Sequence, residues 1–323
     1  MAITRLIKKT VILAKTEVTP GTDAVPTGAA NAIKALDMSI TALELSSIDV
    51  KVMAGYFGAA MSLPGTSFSK CSFSVLLSGA GLAATAPAWG ALLLGCASAE
   101  TTGLLVPNRV EYLPATDFLK TLTLYWYDDG LLHTLLGCMG SVKLSAKSGE
   151  APKLTFDFTG LESTPTPVAN AVAILTAWKD PVAITKANVT DIQLGCTYAA
   201  GLLSGGTVYN SSGLTLDWGN QVKFSPLLSD EKVVMDDRKI KGSMSLELTA
   251  VQEATMIGQL KSRTVQSLGF VIGKTSGNQI MLHAPAVVLK THKKEDFNGQ
   301  RLVAFDFELD PVNGNDELRL ISL

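Results

Sequence analysis

The sequence predicts a mainly β protein: two tandem strand-rich units, each with one helix and related by an internal duplication. Three observations carry this. Short runs alternate apolar and polar residues with period two, helical periodicity occurs in only two stretches, and one order of elements occurs twice along the 323 residues.

Taken from the N-terminus, residues 1–36 read as an arm. After Ile3 to Glu17, the run Thr19-Pro20-Gly21-Thr22-Asp23-Ala24-Val25-Pro26-Thr27-Gly28 is turn chemistry without apolar periodicity. The first unit, 37–162, opens with a strand from Met38 to Val50 and a long loop from Lys51 to Ser69. Lys70 to Ser78 alternates as a half-buried strand does, with Cys71, Phe73 and Val75 on one face. A helix is expected over Pro87–Ala97, with Thr85 as N-cap, Pro87 in its first turn, and Trp89, Leu92, Leu93 and Cys96 on one side. Tyr125-Trp126-Tyr127 runs as a strand into the turn Asp128-Asp129-Gly130, and Leu154, Phe156 and Phe158 mark the closing strand.

A connector, 163–212, carries Pro165, Pro167 and Pro181 early and Gly205-Gly206 late. The order then repeats in a second unit, 213–323: a strand from Gly213 to Phe224, a loop from Ser225 to Ile240, and a strand from Lys241 to Thr249 that matches Lys70 to Ser78 in pattern. A helix over Val251–Arg263 follows, then Phe270-Val271-Ile272 before the turn Gly273 to Gln279. Val303-Ala304-Phe305-Asp306-Phe307 matches Leu154-Thr155-Phe156-Asp157-Phe158. The matched pairs are spaced differently, so the first unit must hold an additional segment; Glu100 to Lys120, with Pro107 and Pro114, fits.

Lys+Arg number 27 and Asp+Glu 29, a net charge of -2, which argues against a dedicated nucleic-acid binder. Only 17% of residues are charged, against roughly 25% in ordinary soluble domains, while 47% are hydrophobic, so something other than charge must cover part of the surface. A membrane is not expected to: Cys71 to Ala99 lacks charge, but Ser72, Ser74, Ser78, Gly79, Gly81, Thr85 and Pro87 break it below the ~20 apolar residues of a spanning helix. Arg5, Lys8 and Lys9 precede only Val11-Ile12-Leu13-Ala14, shorter than the apolar core of a secretory signal, so none is expected. Cys71, Cys96, Cys138 and Cys196 are widely spaced and read as free thiols of a reducing compartment.

The chemistry-bearing motifs are sparse. Gly79-Ala80-Gly81-Leu82-Ala83-Ala84 fits a dinucleotide fingerprint, with Glu100 downstream. The strand before it alternates with serines, unlike a buried parallel strand, and its counterpart Leu248-Thr249-Ala250-Val251 lacks glycine, so it reads as a plain strand-to-helix loop. His133 and His283 sit on apolar hairpin strands and His292 in a charged turn. Asp128-Asp129 and Asp236-Asp237 are adjacent carboxylates, which point in different directions on a strand. No metalloprotease, nucleophile-elbow, phosphate-loop or zinc spacing occurs, and the chain is expected to be no enzyme and to hold no cofactor or metal. The densest charge cluster, Lys290 to Arg301, reads either as a solvated hairpin tip or as a salt-sensitive contact with a neighbouring subunit.

Four segments carry a family likeness: Lys15-Thr16-Glu17-Val18-Thr19-Pro20-Gly21-Thr22, Ala86-Pro87-Ala88-Trp89-Gly90-Ala91-Leu92-Leu93-Leu94-Gly95-Cys96, Val110-Glu111-Tyr112-Leu113-Pro114 and Gly314-Asn315-Asp316-Glu317-Leu318. In this order they resemble the tail tube (major tail) proteins of long, non-contractile-tailed bacteriophages. The resemblance implies a small β-sandwich or barrel flanked by a helix, with sheets joined across subunits into rings and rings stacked into a hollow tube that carries the genome. Many members have one such domain and form six-fold rings. Two tail-tube-like units per chain would instead close a pseudo-hexameric ring from three chains, a homotrimer.

The resemblance further implies a virion (tail) location, with assembly in the host cytoplasm. The partners would be copies of itself and other tail proteins such as a tape measure and a terminator. DNA would pass transiently through the lumen, not held by sequence, and no membrane would be involved. Ring and subunit contacts are expected from Glu17 and Pro20 in the arm, from Met53, Tyr56, Phe57, Met61, Leu63 and Phe68 in the first long loop, and from Val233, Val234 and Met235 in the second. The other reading is that these apolar loop residues fold back on their own unit. Asp157, Asp306 and Glu247 are lumen candidates, since a neutral or negative wall lets DNA slide.

The alternatives are another virion component, a tail terminator or host-recognition module, or a soluble binding or enzyme domain. A fibre should show tandem repeats with extended or coiled-coil segments, and an enzyme a polar cluster interrupting the periodicity; neither occurs.

Overall fold

A computed structural model describes residues 4–323 except 54, 56, 60, 105, 106 and 118. It is mainly β. In chain order the strands of the first half are β1 (Val11–Thr16), β2 (Ala35–Val50), β3 (Met61–Leu76), β4 (Ser98–Leu104), β5 (Arg109–Pro114), β6 (Leu122–Tyr127), β7 (Leu131–Lys147), β8 (Lys153–Glu162) and β9 (Thr166–Pro167), with helix α1 (Gly90–Leu94) between β3 and β4. The second half holds β10 (Ile192–Ala199), β11 (Leu202–Tyr209), β12 (Ser211–Asp217), β13 (Asn220–Leu227), β14 (Asp230–Arg238), β15 (Lys241–Leu246), β16 (Val265–Ile272), β17 (Ile280–Leu289), β18 (Lys293–Phe297), β19 (Gln300–Leu309) and β20 (Arg319–Ser322), with α2 (Ala250–Lys261) after β15.

The antiparallel pairings follow one order in both halves. In the first, β2 pairs with β3, β3 with β8, β8 with β7, β7 with β6, and β6 with β1. In the second, β12 pairs with β15, β15 with β19, β19 with β17 and β18, β17 with β16, and β16 with β10. The additional segment of the first half is the β4–β5 hairpin, which pairs with the C-terminal β20.

The two halves share one sheet through two pairings: β20, which also pairs with β17, joins β5, and β7 serves two partners along one edge. Its early residues, Leu132 to Cys138, pair with β6, and its last five, Lys143 to Lys147, pair with β12 from Asp217 to Gly213. The change of partner follows a register irregularity between Leu136 and Met139, where Gly137 adopts φ 59, a conformation that costs glycine little. The Gly137 N–H freed there donates to Glu17 Oε1 at 2.8 Å.

Alternation built the core. Phe73, Phe156 and Phe158 in the first half, and Met244, Phe305 and Phe307 in the second, lie in one continuous apolar cluster with Leu92 and Leu93 of α1 and Met256 of α2. The second helix starts where a capping box fixes it: the Thr249 hydroxyl accepts from Gln252 N and the Gln252 side chain returns to Thr249 N. The first helix is only five residues long and begins after Trp89, which offers no side-chain cap; Thr85 does not cap it. Trp89 instead donates from Nε1 to Ser78 O at 2.8 Å, anchoring the helix to the end of β3.

Several expectations change in detail. The first part of the expected arm is a sheet strand: Ile12, Leu13 and Ala14 are buried and β1 pairs along β6. The expected connector contains the β10–β11 hairpin, which adds to the second half through β16. The two expected long loops are β-hairpins. Residues 61–69 belong to β3, and 220–238 form β13 and β14, split from β12 by Gly219 at φ 61. Loop composition concealed these strands because so few of their residues are buried, Ser69 and Val233 alone in 61–69 and 225–238, that burial does not enforce strict alternation.

The fingerprint glycines have a packing reason. A Cβ on Gly79 would lie 2.2 Å from Gly277 O, and Gly81 N donates to that same oxygen at 2.7 Å, so the loop is pressed against the 273–279 turn of the second half. The absence of glycine from the counterpart at 248–251 is consistent, since this contact joins unlike parts of the two halves. His283 is buried and stacks on Tyr198 with ring centroids 5.3 Å apart. His292 Nε2 lies 2.9 Å from Glu253 Oε1. All four cysteines are free and buried, and burial pushes the Cys71 thiol up to about 12.

Candidate assembly interface

The features able to act on another molecule are sheet edges, hairpins and one sheet face. β2 has β3 as its only strand partner among the described residues, so its other edge presents unpaired backbone groups; β18 is likewise paired only with β19 and is exposed throughout. Such edges take up a further strand wherever one is available.

The hairpins behave differently in the two halves. β13–β14 packs against β7 and β8 of the first half. Asn220 fixes its base: Nδ2 donates to Cys96 O and Gly140 O, both at 2.9 Å. Arg238 fixes its return, donating to Ala115 O at 2.9 Å and pairing with Glu317 at 2.9 Å. Val233 is buried, Val234 and Met235 are partly covered, and Phe224 stacks on Phe68 with centroids 5.1 Å apart. By contrast the β2–β3 hairpin exposes Leu43, Leu45, Ile48, Met53, Phe57, Met61 and Leu63. Tyr56 lies outside the described residues.

Glu17 is buried and its carboxylate is occupied inside the chain: it accepts from Thr121 Oγ1 at 2.6 Å, Thr123 Oγ1 at 2.9 Å, Gly21 N at 2.7 Å and Gly137 N. Those donors replace the water that a buried carboxylate gives up. The result is a fixed turn that presents Val18 and Pro20 to solvent.

Asp157 and Asp306 lie at matching places on the sheet face opposite the phenylalanines. Asp157 pairs with Lys143 at 3.3 Å and accepts from Ser72 Oγ at 2.7 Å. Asp306 pairs with Lys293 at 3.7 Å and accepts from Thr291 Oγ1 at 2.8 Å. Each carboxylate is thus balanced by a lysine one strand away, which leaves this face mixed in sign and not acidic. Glu247 accepts from Asn210 Nδ2 at 2.7 Å at the end of β15.

One polar cluster escaped sequence reasoning. Glu111 on β5 is buried and accepts from Arg109 Nε at 2.6 Å, from Arg319 on β20 and from the Tyr198 hydroxyl on β10. Burial alone would raise its pKa, but the three donors outweigh burial and hold the carboxyl below its ordinary range. Burial, aided by Arg319, lowers His283 to about 4, so this ring is neutral at pH 7. No local pattern predicts the cluster, because its members lie on strands far apart in sequence. It clamps the two halves together, and its groups are saturated by one another.

These features define a class: a strand-rich subunit with open sheet edges and an apolar hairpin, built to assemble with further copies or partners. Comparison with family models agrees. A model of the phage tail tube protein family matches residues 8–309. The chain belongs to the phage tail tube protein family, and its role is that of a structural component of the virion tail, assembled with itself and with other tail proteins. No curated protein matches it. Among the described residues no helix is long and apolar enough to cross a membrane.

Proposed function

We propose that this chain self-assembles into rings that stack into the phage tail tube, the conduit through which the genome leaves during ejection. The observation that carries this reading is the match to the tail tube family over nearly the whole chain. The strand order common to both halves supports two tube units per chain, 37–162 and 213–323, descended from a duplication, with β1 and β10 each adding one strand to its own unit. Three chains would then supply the six units of a closed pseudo-hexameric ring.

The exposed Met53, Phe57, Met61 and Leu63 and the turn at Val18 and Pro20 are the surfaces for subunit and ring contacts. The face bearing Asp157 and Asp306 would line the lumen with Glu247 at its margin. Its lysine-balanced carboxylates hold DNA neither by attraction nor by repulsion, since each uncompensated lysine would add a salt-dependent contact to phosphate. A tape measure and a terminator would bound the tube at assembly in the host cytoplasm.

Electron microscopy of the purified protein tests this. Rings or tubes with six repeating units around the axis are expected; a monodisperse monomer at every concentration and salt would sink the proposal.

A further inference from the structure

The chain contains one completed unit-to-unit junction, and its geometry points to the contact that joins one copy of the chain to the next. The free edge of β18 takes β2 of a second copy, in the register that β7 and β12 use inside the chain. This rests on the ring reading above and adds which strands meet and which residues face each other.

The strands of the two halves correspond in their pairings and in the side chains they place. β3 and β15 correspond: Lys70 aligns with Lys241 and Ser72 with Ser243. Their outer partners β2 and β12 therefore correspond, with Thr41 in the place of Asp217 and Ser39 in the place of Thr215. β8 and β19 correspond likewise, Thr155 with Ala304 and Lys153 with Leu302. The end of β7 thus corresponds to β18, with Lys143 in the place of Lys293 and Ser145 in the place of Glu295. The ion pairs Lys143–Asp157 and Lys293–Asp306 arise from this alignment without having been used to make it.

Inside the chain the end of β7 pairs with β12, Lys143 opposite Asp217 and Ser145 opposite Thr215. The equivalents β18 and β2 each have an open edge. β1, β4 and β11 are edges too, but none stands in for β7 or β12. Placing β2 of a second copy on β18 sets Thr41 opposite Lys293 and Ser39 opposite Glu295. Ser39 and Thr41 then lie on the face shared with Asp306, while Met38 and Ile40, which already pack against the core of their own unit, point to the other.

The same operation accounts for the bare hairpin. Two grooves occupy matching places on this face. One, lined by Thr41, Lys70 and Asp157, is lined also by Asn220 and Val222 from the base of β13–β14. The other, of about 550 Å³ and lined by Asp217, Lys241 and Asp306, lacks such a hairpin. A second copy docked through β2 brings its β2–β3 hairpin to that groove, as β13–β14 is brought to the first. It also supplies the apolar hairpin residues with a surface to cover them.

The test is disulfide trapping in assembled full-length protein. Directly opposed residues in an antiparallel pair have Cα atoms about 4.5–5.5 Å apart, within the span of a disulfide. S39C combined with E295C should give, on oxidation of assemblies, a ladder of covalent multimers on denaturing gels. T215C with S145C should cross-link within one chain and give no ladder. S39C with K294C, which directs the two thiols to opposite faces, should cross-link at least tenfold less. The native cysteines are buried and contribute little background. If microscopy shows rings and the S39C/E295C ladder does not exceed that of S39C/K294C, the register is overturned and the ring reading stands. If neither the double variants nor the parent assembles under any condition, both are overturned.

Discussion

The two long hairpins occupy equivalent places in the fold and have opposite fates. β13–β14 lies against the first half, held by Asn220, Arg238 and the Phe68–Phe224 stack, whereas β2–β3 leaves Met53 and Phe57 wholly exposed. The neighbouring strand makes the difference: β13–β14 follows β12, whose pairing with β7 delivers the hairpin onto β7 and β8, whereas the equivalent edge of β2 has no strand partner among the described residues. On the proposed two-unit reading, the β7–β12 pairing is one such junction completed inside the chain, and the equivalent edges of β18 and β2 stay open. The same reading accounts for the shortage of charge, since a surface covered by another copy would need no solvent coat.

The comparison yields graded expectations for the isolated subunit. The largest effect lies at the clamp joining the halves: Glu111→Ala removes the acceptor shared by Arg109, Arg319 and Tyr198 and should cost about 3–5 kcal/mol in urea unfolding, against a small change for Glu100→Gln. Acidification should weaken the same seam. Between pH 6.5 and about 4 the unfolded chain takes up a proton at residue 283 that the folded chain refuses, so stability falls as pH falls across that window. The loss should be about 2 kcal/mol after allowance for partial solvent contact, and His283→Gln should flatten this slope in melts at a series of pH values.

Next comes the covered hairpin. Asn220→Ala should cost about 1–2 kcal/mol and speed amide exchange across β13 and β14. The smallest effect on the subunit belongs to the bare hairpin: Met53→Ser with Phe57→Ser should change stability by less than about 0.5 kcal/mol yet reduce assembly severely by sedimentation. Equal destabilisation by the two hairpin variants would mean that β2–β3 is also packed on its own subunit. Breaking the exposed pair with Asp157→Asn should cost no more than about 0.5 kcal/mol.

How legible this was depends on where each signal resides. Phe73, Phe156, Phe158, Phe305 and Phe307 announced their strands because burial of one face enforces period two, and all five are core residues. The second helix was legible from its cap and apolar spacing; the first was overextended, because Pro87 and Trp89 serve a loop that packs before the helix begins. Residues 61–69 and 225–238 read as loops because only Ser69 and Val233 among them are buried, too few to impose a period of two. Of the interface candidates, Met53, Phe57, Met61 and Leu63 are exposed, Val233 is buried, and Glu17 serves the fold of its own subunit.

By itself the sequence determined the strand-rich class, the apolar face of each main strand and the places of the aspartates at 157 and 306 on their strands. These follow from local periodicity, which a chain carries residue by residue. Only the tertiary structure decided that β7 shifts register around Gly137 and takes β12 from Lys143 onward, that Glu111 gathers donors from three strands, and that one hairpin is covered while its equivalent is left open. Pairings between strands far apart in sequence are chosen by sheet closure and by the geometry of bulges, and no local pattern records that choice.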